Sequence, residues 1–391
     1  MKPNGMRPEK FITLIFVLVL FSCSNSNEHA GATGKHLKSP DLVEHAKRFS
    51  IEQHKNVYVV RIFGNRRKHD EVTGYFVLSN DTTGLRREYR YREACVIKTP
   101  CTNIAALSSI YASIFFELGA LNNVTTIDNV DYIVNPEIID RYKKGKLAEI
   151  GKSQQINIEA AVKIKPDVLF TFGMGEGEKD KDKKLVQSSI ATAIVVDHLE
   201  ENPLARAEWI KFFAVFVNKY ARADSVFSEV EIKYNQLRQE LASVKSRPTV
   251  FSEIKYSEFW YMPGGRSYVA SLFGDAGADY LWKENTDFGS LPLSFEQVYA
   301  RARQADYWLN LSTLNTKQEL VAMEKRYADF NAFKQNQLFN NNKVVNTKGY
   351  SSYWETGMIH PERILSDLIY IFHPELHPKA EKELFYYKRL N

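Results

Sequence analysis

The stretch from Pro203 to Lys245 constrains the fold more than any other part of the chain. Its apolar residues recur in steps of four and three, which keeps one face of an α-helix apolar throughout. Asn202 is a suitable N-cap, Pro203 suits the first helical position, and Pro248 prevents continuation. At about 1.5 Å per residue, one helix of this length would extend roughly 60 Å, and a break into two consecutive helices is an alternative. The apolar positions are Trp209, Phe213, Phe216, Tyr220, Ala223, Phe227, Val230, Tyr234, Leu237 and Leu241.

This helical stretch has two interpretations. Its spacing is compatible with a dimeric coiled coil, but bulky aromatic residues along the seam favour packing against a sheet. The preferred interpretation is a helical connection between two lobes, because strands alternate with helices on both sides of it, as in parallel α/β sheets. We therefore predict an α/β fold with two lobes, each with a mostly parallel sheet flanked by helices, joined by a long interlobe helix.

The predicted elements follow from short apolar runs and from amphipathic periodicity. The predicted strands are Val57–Phe63, Tyr75–Leu78, Cys95–Ile97, Val124–Ile127, Val168–Phe172, Ile190–Val196, Thr249–Ser252, Tyr307–Leu311 and Lys343–Asn346. The predicted helices include Asn103–Leu118, Asn135–Arg141, Ile156–Lys163, Ser267–Ala276, Ser294–Arg303 and His360–Phe372. The predicted domains are a signal peptide (1–22), a tether (23–40), a small β-rich N-terminal extension (41–92), an N-terminal binding lobe (93–200), the interlobe helix (201–246) and a C-terminal binding lobe (247–391).

The N-terminus has the pattern of an export signal. Three basic residues precede the apolar run Phe11–Phe21, which is too short to span a bilayer as a mature helix. Leu20-Phe21-Ser22-Cys23 resembles the bacterial lipobox, which implies cleavage before Cys23 and diacylglycerol on its sulfur. A signal peptide without lipidation is the alternative. Ser24–Asn27 lacks an acidic cluster for surface export, so we expect a lipid anchor facing the periplasm.

Composition and motifs weaken several other classes of function. After removal of residues 1–22, 49 basic and 46 acidic residues remain, a dispersed balance that gives no case for nucleic-acid binding. Gly173–Gly177 lacks the Lys-Ser/Thr of a phosphate loop, and the prolines beside His360 and His373 suit helix starts better than metal ligation. The sequence contains no Gly-x-Ser-x-Gly motif, so it gives no support for an enzyme of the serine hydrolase type. The spacing of Cys95 and Cys101 permits a disulfide without requiring one.

The two predicted lobes share a short signature. A helix with a glutamate in its first turn is followed by an aspartate and an apolar strand: Glu159 precedes Asp167, and Glu296 precedes Asp306. A carboxylate is favourable at the positive end of a helix, so helix electrostatics alone is one explanation for both glutamates.

The order of these motifs points to a family. The motifs that carry the resemblance are Val96-Ile97, Glu117–Ala120, Asn157–Glu159, Lys165–Leu169 and Leu293–Val298. Through them the chain resembles the helical-backbone (class III) periplasmic substrate-binding proteins of ABC importers for ferric siderophores, haem and cobalamin. The likeness covers about residues 94–385. With its N-terminal extension and the ending Ile371–Leu376, the chain looks like the Bacteroidetes lipoprotein branch of that family.

The resemblance implies partners and two docking residues. An ABC permease and its ATPase would receive the ligand, and Glu159 and Glu296 would each meet an arginine cluster on one transmembrane subunit. Glu296 departs from the pattern because ten residues separate it from Asp306, whereas eight separate Glu159 from Asp167. Two carboxylates held far apart can fix the docking register, although exposed ion pairs contribute little affinity.

Ligand contacts are expected in loops at strand ends, which face the crevice in open α/β sheets. Aromatic faces there suit a tetrapyrrole, corrin or catecholate, Arg266 suits a ligand carboxylate, and a tyrosine can coordinate haem iron. We hypothesise above all that Trp260 and Tyr353 contact the ligand. The predicted ligand-binding residues are Thr99, Thr102, Met174, Tyr256, Trp260, Tyr261, Arg266, Tyr353 and Trp354.

The sequence therefore predicts a monomeric, lipid-anchored periplasmic protein without a resident cofactor or metal. It would capture an iron complex, either a ferric siderophore or haem, and deliver it to an ABC permease. Cobalamin is the nearest alternative, followed by a bare Zn²⁺ or Mn²⁺ carrier, which would need several histidines at the cleft. A surface enzyme or a sensor domain is the alternative from another class.

Overall fold

Two five-stranded sheets form the cores of the two lobes in this computed structural model, which describes residues 40–64, 71–89, 94–152, 155–376 and 383–391. The predicted signal peptide, Cys23 and the tether up to residue 39 lie outside the described residues. The strands are β1 (Phe49–His54), β2 (Val57–Phe63), β3 (Val72–Ser79), β4 (Cys95–Lys98), β5 (Ile104–Ala106), β6 (Val124–Ile127), β7 (Ala148–Glu149), β8 (Gly151–Lys152), β9 (Gln155–Ile156), β10 (Val168–Phe172), β11 (Thr192–Val195), β12 (Thr249–Ser252), β13 (Lys255–Tyr256), β14 (Phe259–Pro263), β15 (Asp279–Tyr280), β16 (Ser290–Leu293), β17 (Tyr307–Leu309), β18 (Leu338–Asn340) and β19 (Lys388–Arg389).

The sheets confirm the predicted α/β class. The N-terminal lobe contains the parallel sheet β11-β10-β5-β6-β7. The C-terminal lobe contains β15-β12-β17-β18-β19, which is parallel except for its last strand. A small antiparallel sheet, β13-β14-β16, lies beside the second of these. The α-helices are α1 (Leu85–Glu88), α2 (Ser109–Glu117), α3 (Pro136–Lys143), α4 (Ile158–Ile164), α5 (Lys183–Gln187), α6 (Pro203–Ala207), α7 (Trp209–Phe216), α8 (Tyr220–Glu240), α9 (Tyr268–Asp275), α10 (Phe295–Ala302), α11 (Lys317–Met323), α12 (Asn331–Lys334), α13 (Ser352–Thr356) and α14 (Pro361–Phe372).

The predicted interlobe helix is a series of three helices, α6, α7 and α8. The Asn202 side chain accepts a hydrogen bond from the Ala205 backbone N–H at 2.8 Å, and Pro203 occupies the first turn, as predicted. The chain bends between α7 and α8, where Asn218 adopts a left-handed φ of 55°. α7 and α8 pack against each other, and α8 also packs on α14, so its apolar face is covered within the chain.

All eight residues of α7 are buried, although the sequence suggested only one apolar face. On one side, Phe213 contacts Phe170 of the N-terminal lobe, with ring centroids 4.9 Å apart. On the other side, the N-terminal extension covers the helix: Phe49 lies 4.7 Å from Trp209. The connection is therefore embedded in one continuous apolar core that reaches into both lobes.

Two buried carboxylates hold the N-terminal extension on this helical connection. Glu208 accepts hydrogen bonds from the backbone N–H groups of Glu44, His45 and Ala46 at 2.8–2.9 Å. Glu200 accepts from the N–H groups of residues 47 and 48 and from the Trp209 indole. These contacts satisfy a run of backbone donors that has no strand partner, and they tie the extension to the rest of the fold.

Two elements differ from the sequence prediction, and both differences change which residues reach the cleft. The stretch predicted as one helix, Asn103–Leu118, is strand β5 followed by α2, because Ile104–Ala106 is fully buried between β6 and β10. The predicted strand Lys343–Asn346 is wrong. The strand is β18, whose three residues are all buried, whereas Val344 is 46% exposed.

The strand predicted at Cys95–Ile97 exists, but it pairs in parallel with β3 and completes the sheet β1-β2-β3-β4. The central sheet of the N-terminal lobe therefore starts with β5. Cys95 and Cys101 are both free thiols. The predicted limits of the domains stay predictions.

The signature shared by the two lobes has a structural role at the amino ends of their strands. Asp167 accepts hydrogen bonds from the N–H groups of Thr102 and Asn103 at 2.8 and 3.0 Å. Asp306 likewise accepts from the backbone N–H and the hydroxyl of Thr249 at 2.8 and 2.7 Å. Each aspartate thus caps the start of the neighbouring strand. Across the described ranges, no helix combines the length and the hydropathy that crossing a membrane requires.

Candidate functional site

A cavity of about 560 Å³ lies where the carboxyl ends of strands from both lobes meet. β5 and β6 lead into Ser108 and Asp128 on one side, and β12, β17 and β18 lead into Glu253, Asn310 and Asn341 on the other. This is the general position of ligands in parallel α/β sheets. The lining residues are Ser108, Ser109, Asp128, Tyr132, Glu253, Asn310, Ser312, Thr313, Asn341, Asn342, Gly349, Tyr350, Ser351 and Trp354.

Left-handed backbone conformations shape the C-terminal wall of the cavity. Glu253, Asn310 and Ser312 have φ values of 65°, 59° and 57°, which residues with a Cβ rarely adopt. Hydrogen bonds fix the first of these turns: the Glu253 N–H donates to the Leu309 carbonyl at 2.9 Å, and the Trp308 indole donates to the Glu253 carbonyl at 2.7 Å. Such strained turns concentrate at functional sites, where they aim side chains.

Burial raises the pKa of two carboxyl groups in the cavity. Burial raises the pKa of Glu253 to about 8, opposed only by a long hydrogen bond from the Asn310 amide at 3.4 Å. Burial likewise raises the pKa of Asp128 to about 6. At neutral pH Glu253 therefore holds its proton and can donate a hydrogen bond, whereas Asp128 is mostly ionised.

Three residues of the cavity lining have a buried polar atom without a hydrogen-bond partner among the described residues. Within the described part of the chain, the Asp128 Oδ1, Asn341 Nδ2 and Asn342 Oδ1 atoms are buried and have no hydrogen-bond partner. Buried polar atoms are almost always paired in native proteins, so unpaired atoms on residues that line a cavity mark positions where a ligand would complete the hydrogen bonding. Among the lining residues given above there is no lysine, arginine or histidine. The described residues also contain no cluster of three or more His, Cys, Asp or Glu side chains suited to a metal ion.

The two lobes are joined along one side of the cavity by a set of contacts that we call the clasp. Glu355, only 1% exposed, accepts hydrogen bonds from the Ser113 hydroxyl and from the N–H groups of Val134 and Asn135 at 2.6–3.2 Å. The Asn346 amide donates to two carbonyls of the N-terminal lobe, at residues 131 and 133. The clasp restricts how far this side of the cleft can open.

Of the two ligand residues predicted near the end of the chain, Tyr353 and Trp354, only Trp354 lines the cavity. Trp354 is half-exposed there, next to Tyr350, whose ring lies 4.7 Å from that of Tyr132 in the other lobe. Tyr353, which we hypothesised to contact the ligand, is instead buried behind this wall and packs against Tyr387. It lines a separate small cavity of about 20 Å³.

The structure does not bring Thr99 and Thr102 to the cavity. They lie before β5, at the amino edge of the central sheet, where Asp167 binds the Thr102 N–H. The sequence prediction treated Cys95–Ile97 as the first strand of the lobe, which placed the following turn at the wrong edge. Met174 follows β10 at the correct edge, is 54% exposed and lies outside the cavity lining.

The aromatic cluster after β12 is also not part of the cavity. Trp260 is fully buried, and its indole donates to the Ser252 carbonyl at 3.0 Å, so it offers no surface to a ligand in this structure. Tyr256 and Tyr261 are exposed on the small antiparallel sheet, away from the lining residues. Arg266 pairs with Glu201 at 2.9 Å and lies over the ring of Phe288 at 4.3 Å.

The proposed docking residues are both at the surface. Glu159 is exposed in the first turn of α4, and Glu296, 72% exposed, is in the first turn of α10. Glu296 forms an ion pair with Arg326 at 3.3 Å. Its own backbone N–H, and then Arg326, lower the pKa of Glu296. Their role in docking stays a prediction.

Sequence reasoning missed most residues of the actual lining. Asp128, Asn310 and Asn341 each follow a short strand directly, and Ser108 follows β5 after one residue. A polar residue just after an apolar run is the signal that could have identified them. The signal was hidden where the strand itself was assigned wrongly, at Ile104–Ala106 and at Leu338–Asn340.

Comparison with known proteins identifies the family. Residues 104–343 match the family of periplasmic binding proteins, and the chain belongs to this family. Its members bind solutes and are in general not enzymes. An uncharacterized lipoprotein of Methanocaldococcus jannaschii is 28% identical over 305 residues, which cover 75% of this chain and 70% of that protein.

Solved structures share the fold at low sequence identity. A possible iron-binding periplasmic solute-binding protein from Staphylococcus epidermidis has a TM-score of 0.54 at 15% identity, covering 70% of this chain and 100% of that one. The periplasmic haem-binding protein RhuT from Roseiflexus sp. RS-1 gives 0.54 at 18%, covering 71% and 100%. The vitamin B12 binding protein BtuF of Vibrio cholerae gives 0.52 at 13%, covering 72% and 99%. These likenesses establish the two-lobe fold.

Proposed function

We propose that this protein is the substrate-binding component of an ABC importer and captures a metal chelate rich in amide or hydroxyl groups. The first candidate is a ferric siderophore of the neutral hydroxamate type, and the second is a corrinoid. The observation that carries this proposal is the cavity lining, which offers amides, hydroxyls and a protonated Glu253 but no cationic side chain.

The chemistry of the lining separates the ligand classes. A haem has two propionates, and a catecholate siderophore complex is an anion, so both would enter a wall that holds carboxyl groups without a cation to pair with them. Neutral hydroxamates and corrin side-chain amides can instead form hydrogen bonds with Asn341, Asn342 and Asp128. Each of these lining residues has one polar atom without a hydrogen-bond partner among the described residues. Trp354 and Tyr350 provide flat apolar contacts.

Proteins of the same fold support the class of ligand. Their descriptions include iron binding, haem binding and vitamin B12 binding. A lipid anchor at Cys23, a location in the periplasm and docking through Glu159 and Glu296 complete the proposal. The lipobox-like sequence and a relative described as a lipoprotein support the anchor. The clasp and the embedded helices favour a modest closure of the cleft around the ligand.

The test is a titration of the purified mature chain with three ligands in turn: a ferric trihydroxamate, cobalamin and haemin. Tryptophan fluorescence and the absorption spectrum of each chelate report binding, and Trp354→Phe serves as the control that locates the fluorescence change. We expect one of the first two to bind at micromolar concentration or below. Binding of haemin alone, or of none of the three, would contradict the ligand assignment.

A further inference from the structure

The small antiparallel sheet of the C-terminal lobe has an exposed aromatic face. β13 and β14 pair Tyr256 with Phe259, and β14 and β16 pair Tyr261 with Pro292, so these four side chains lie on the same side. Tyr256, Phe259 and Tyr261 are 75%, 42% and 44% exposed. We call these four residues the aromatic face.

The opposite side of the same sheet is fully packed. Trp260 and Met262 alternate with the exposed rings along β14, and both are completely buried. Trp260 contacts Trp308 with ring centroids 5.6 Å apart. Because the inner residues already anchor the sheet, the fold does not need large apolar side chains on the outer side. A contiguous exposed apolar surface of this kind marks an interaction site.

The location of the aromatic face connects two other features of the lobe. At one end, Glu253 of the cavity lining stands two residues before β13. At the other end, β16 leads through the N-cap Ser294 directly to Glu296 in the first turn of α10. A partner bound on this surface would therefore lie between the cleft and the exposed carboxylate.

We infer that the aromatic face is a docking surface for the periplasmic side of the permease. This inference rests on the proposed function and extends the predicted contact at Glu296. Tyrosine, phenylalanine and arginine are enriched at the energetic centres of protein interfaces. The complementary surface on the permease would be an apolar depression with an arginine at its edge, which can pair with Glu296 and stack on an aromatic ring.

The charges around the aromatic face argue for a protein partner over a membrane surface. Glu296 and Glu324 on this rim are balanced by Arg326, which pairs with both, and by Lys255 on β13. A surface that binds anionic lipid needs more basic than acidic residues, whereas the named charges on this rim balance each other.

The decisive experiment uses the full lipoprotein in its own cells with the photo-cross-linking residue benzoylphenylalanine at Tyr261, at Glu159 or at Phe385. Phe385 is 48% exposed and outside the aromatic face, so it serves as the control. We expect cross-links from Tyr261 and Glu159, but not from Phe385, to a polytopic membrane subunit that co-purifies with an ATPase.

The other outcomes separate this inference from the function beneath it. A cross-link from Glu159 without one from Tyr261 would overturn the aromatic docking surface and leave the permease partnership intact. The absence of both would also overturn the proposed docking. A product of Tyr261 with lipid, or with a second copy of this chain, would replace the permease as the occupant.

A quantitative test removes the aromatic rings while keeping residues that suit a strand. The variant Tyr256→Thr/Phe259→Thr/Tyr261→Thr should lower the uptake of a radiolabelled ferric trihydroxamate, or of radiolabelled cobalamin if the purified chain binds that, by about tenfold when the lipoprotein is limiting. Its affinity for the same ligand should remain unchanged. The matched control Val72→Thr/Ile232→Thr/Phe385→Thr removes exposed apolar side chains away from this rim and should transport normally. Uptake by the aromatic variant within twofold of the unaltered protein would overturn the inference.

Discussion

The two walls of the cleft differ although the two lobes share one architecture. In both lobes an aspartate caps the amino end of a strand, through Asp167 in one and Asp306 in the other. At the carboxyl ends, the N-terminal wall offers hydroxyls and Asp128, whereas the C-terminal wall offers amides, a protonated Glu253 and three left-handed turns. The shared part supports the sheet, and the divergent part is where the ligand is selected.

This difference suggests a division of labour in binding. The C-terminal wall is built from strained turns and buried amides that are fixed before any ligand arrives, which lowers the entropic cost of binding. The N-terminal wall presents fewer groups and meets the other wall through the clasp. We therefore expect the C-terminal wall to determine affinity and the N-terminal wall to complete the enclosure.

The largest effect is expected when the clasp between the lobes is broken. Glu355→Ala would leave the Ser113 hydroxyl and two backbone N–H groups buried without an acceptor, which should lower the free energy of unfolding by about 3 kcal/mol. Urea denaturation measures this change, and hydrogen exchange at residues 134 and 135 should accelerate. The control Glu375→Ala removes an exposed carboxylate from the same lobe. Equal stabilities for the two variants would show that the clasp does not hold the lobes together.

A smaller effect should distinguish the two walls directly. Asn341→Ala removes an amide of the cavity lining whose Nδ2 has no hydrogen-bond partner in the described part of the chain, so affinity for the bound chelate should fall by about tenfold. Ser109→Ala in the N-terminal wall should change it by about threefold or less. Isothermal titration of both variants with the same chelate measures the comparison. A larger loss for the serine variant would reverse the assignment of the two walls.

The sequence predicted the frame better than the cleft. Thr249–Ser252, Val168–Phe172 and the cap at Asn202 agree with the structure because periodicity and capping chemistry are local. The cavity depends on which strand lies beside which, and this is decided by pairing across long sequence separations. β4 joins the extension instead of the lobe, and that one difference moved the predicted site from Ser108 to Thr99.

The burial of aromatic residues was equally hard to predict. Trp260 and Tyr261 are neighbours in sequence, yet one is completely buried and the other 44% exposed. Strand alternation accounts for the pair once the β14 register is known, but a two-residue partner such as β13 leaves no readable pattern in the sequence. A count of aromatic residues in a loop therefore indicates an interaction surface without indicating what binds there.

The pH dependence of binding tests the protonated Glu253. Its pKa of about 8 means that the side chain is neutral at pH 7 and becomes charged as the pH rises. A neutral chelate should lose affinity above pH 8, since its binding would enclose a negative charge, whereas a cationic ligand should gain affinity. Glu253→Gln should bind the neutral chelate with little dependence on pH between about 7 and 9, where Asp128, with a pKa of about 6, is already mostly ionised.

Protein stability supplies an independent readout of the same group. Because the folded state retains a proton that the unfolded chain has already lost, stability should fall as the pH rises from the ordinary glutamate value of 4.5 to about 8. In Glu253→Gln this contribution disappears, so the unfolding free energy should vary less over that window. An unaltered slope in the variant would show that Glu253 ionises at its ordinary pKa.

The smallest effect concerns the two docking glutamates, which also differ between the lobes. Among the described residues, Glu296 has an ion-pair partner in Arg326, and none is found for Glu159. Arg326→Ala should change the unfolding free energy by less than about 1 kcal/mol, because the pair is exposed to solvent. The variant makes the two carboxylates alike. If a permease arginine must displace Arg326 from Glu296, uptake by this variant should equal or slightly exceed that of the unaltered protein.

The double variant Glu159→Ala/Glu296→Ala is the comparison for Arg326→Ala, and it should bind ligand normally and fail in transport. A strong loss of uptake in Arg326→Ala, with ligand affinity and stability unchanged, would mean that Arg326 itself contacts the permease and that the C-terminal lobe docks through a basic residue.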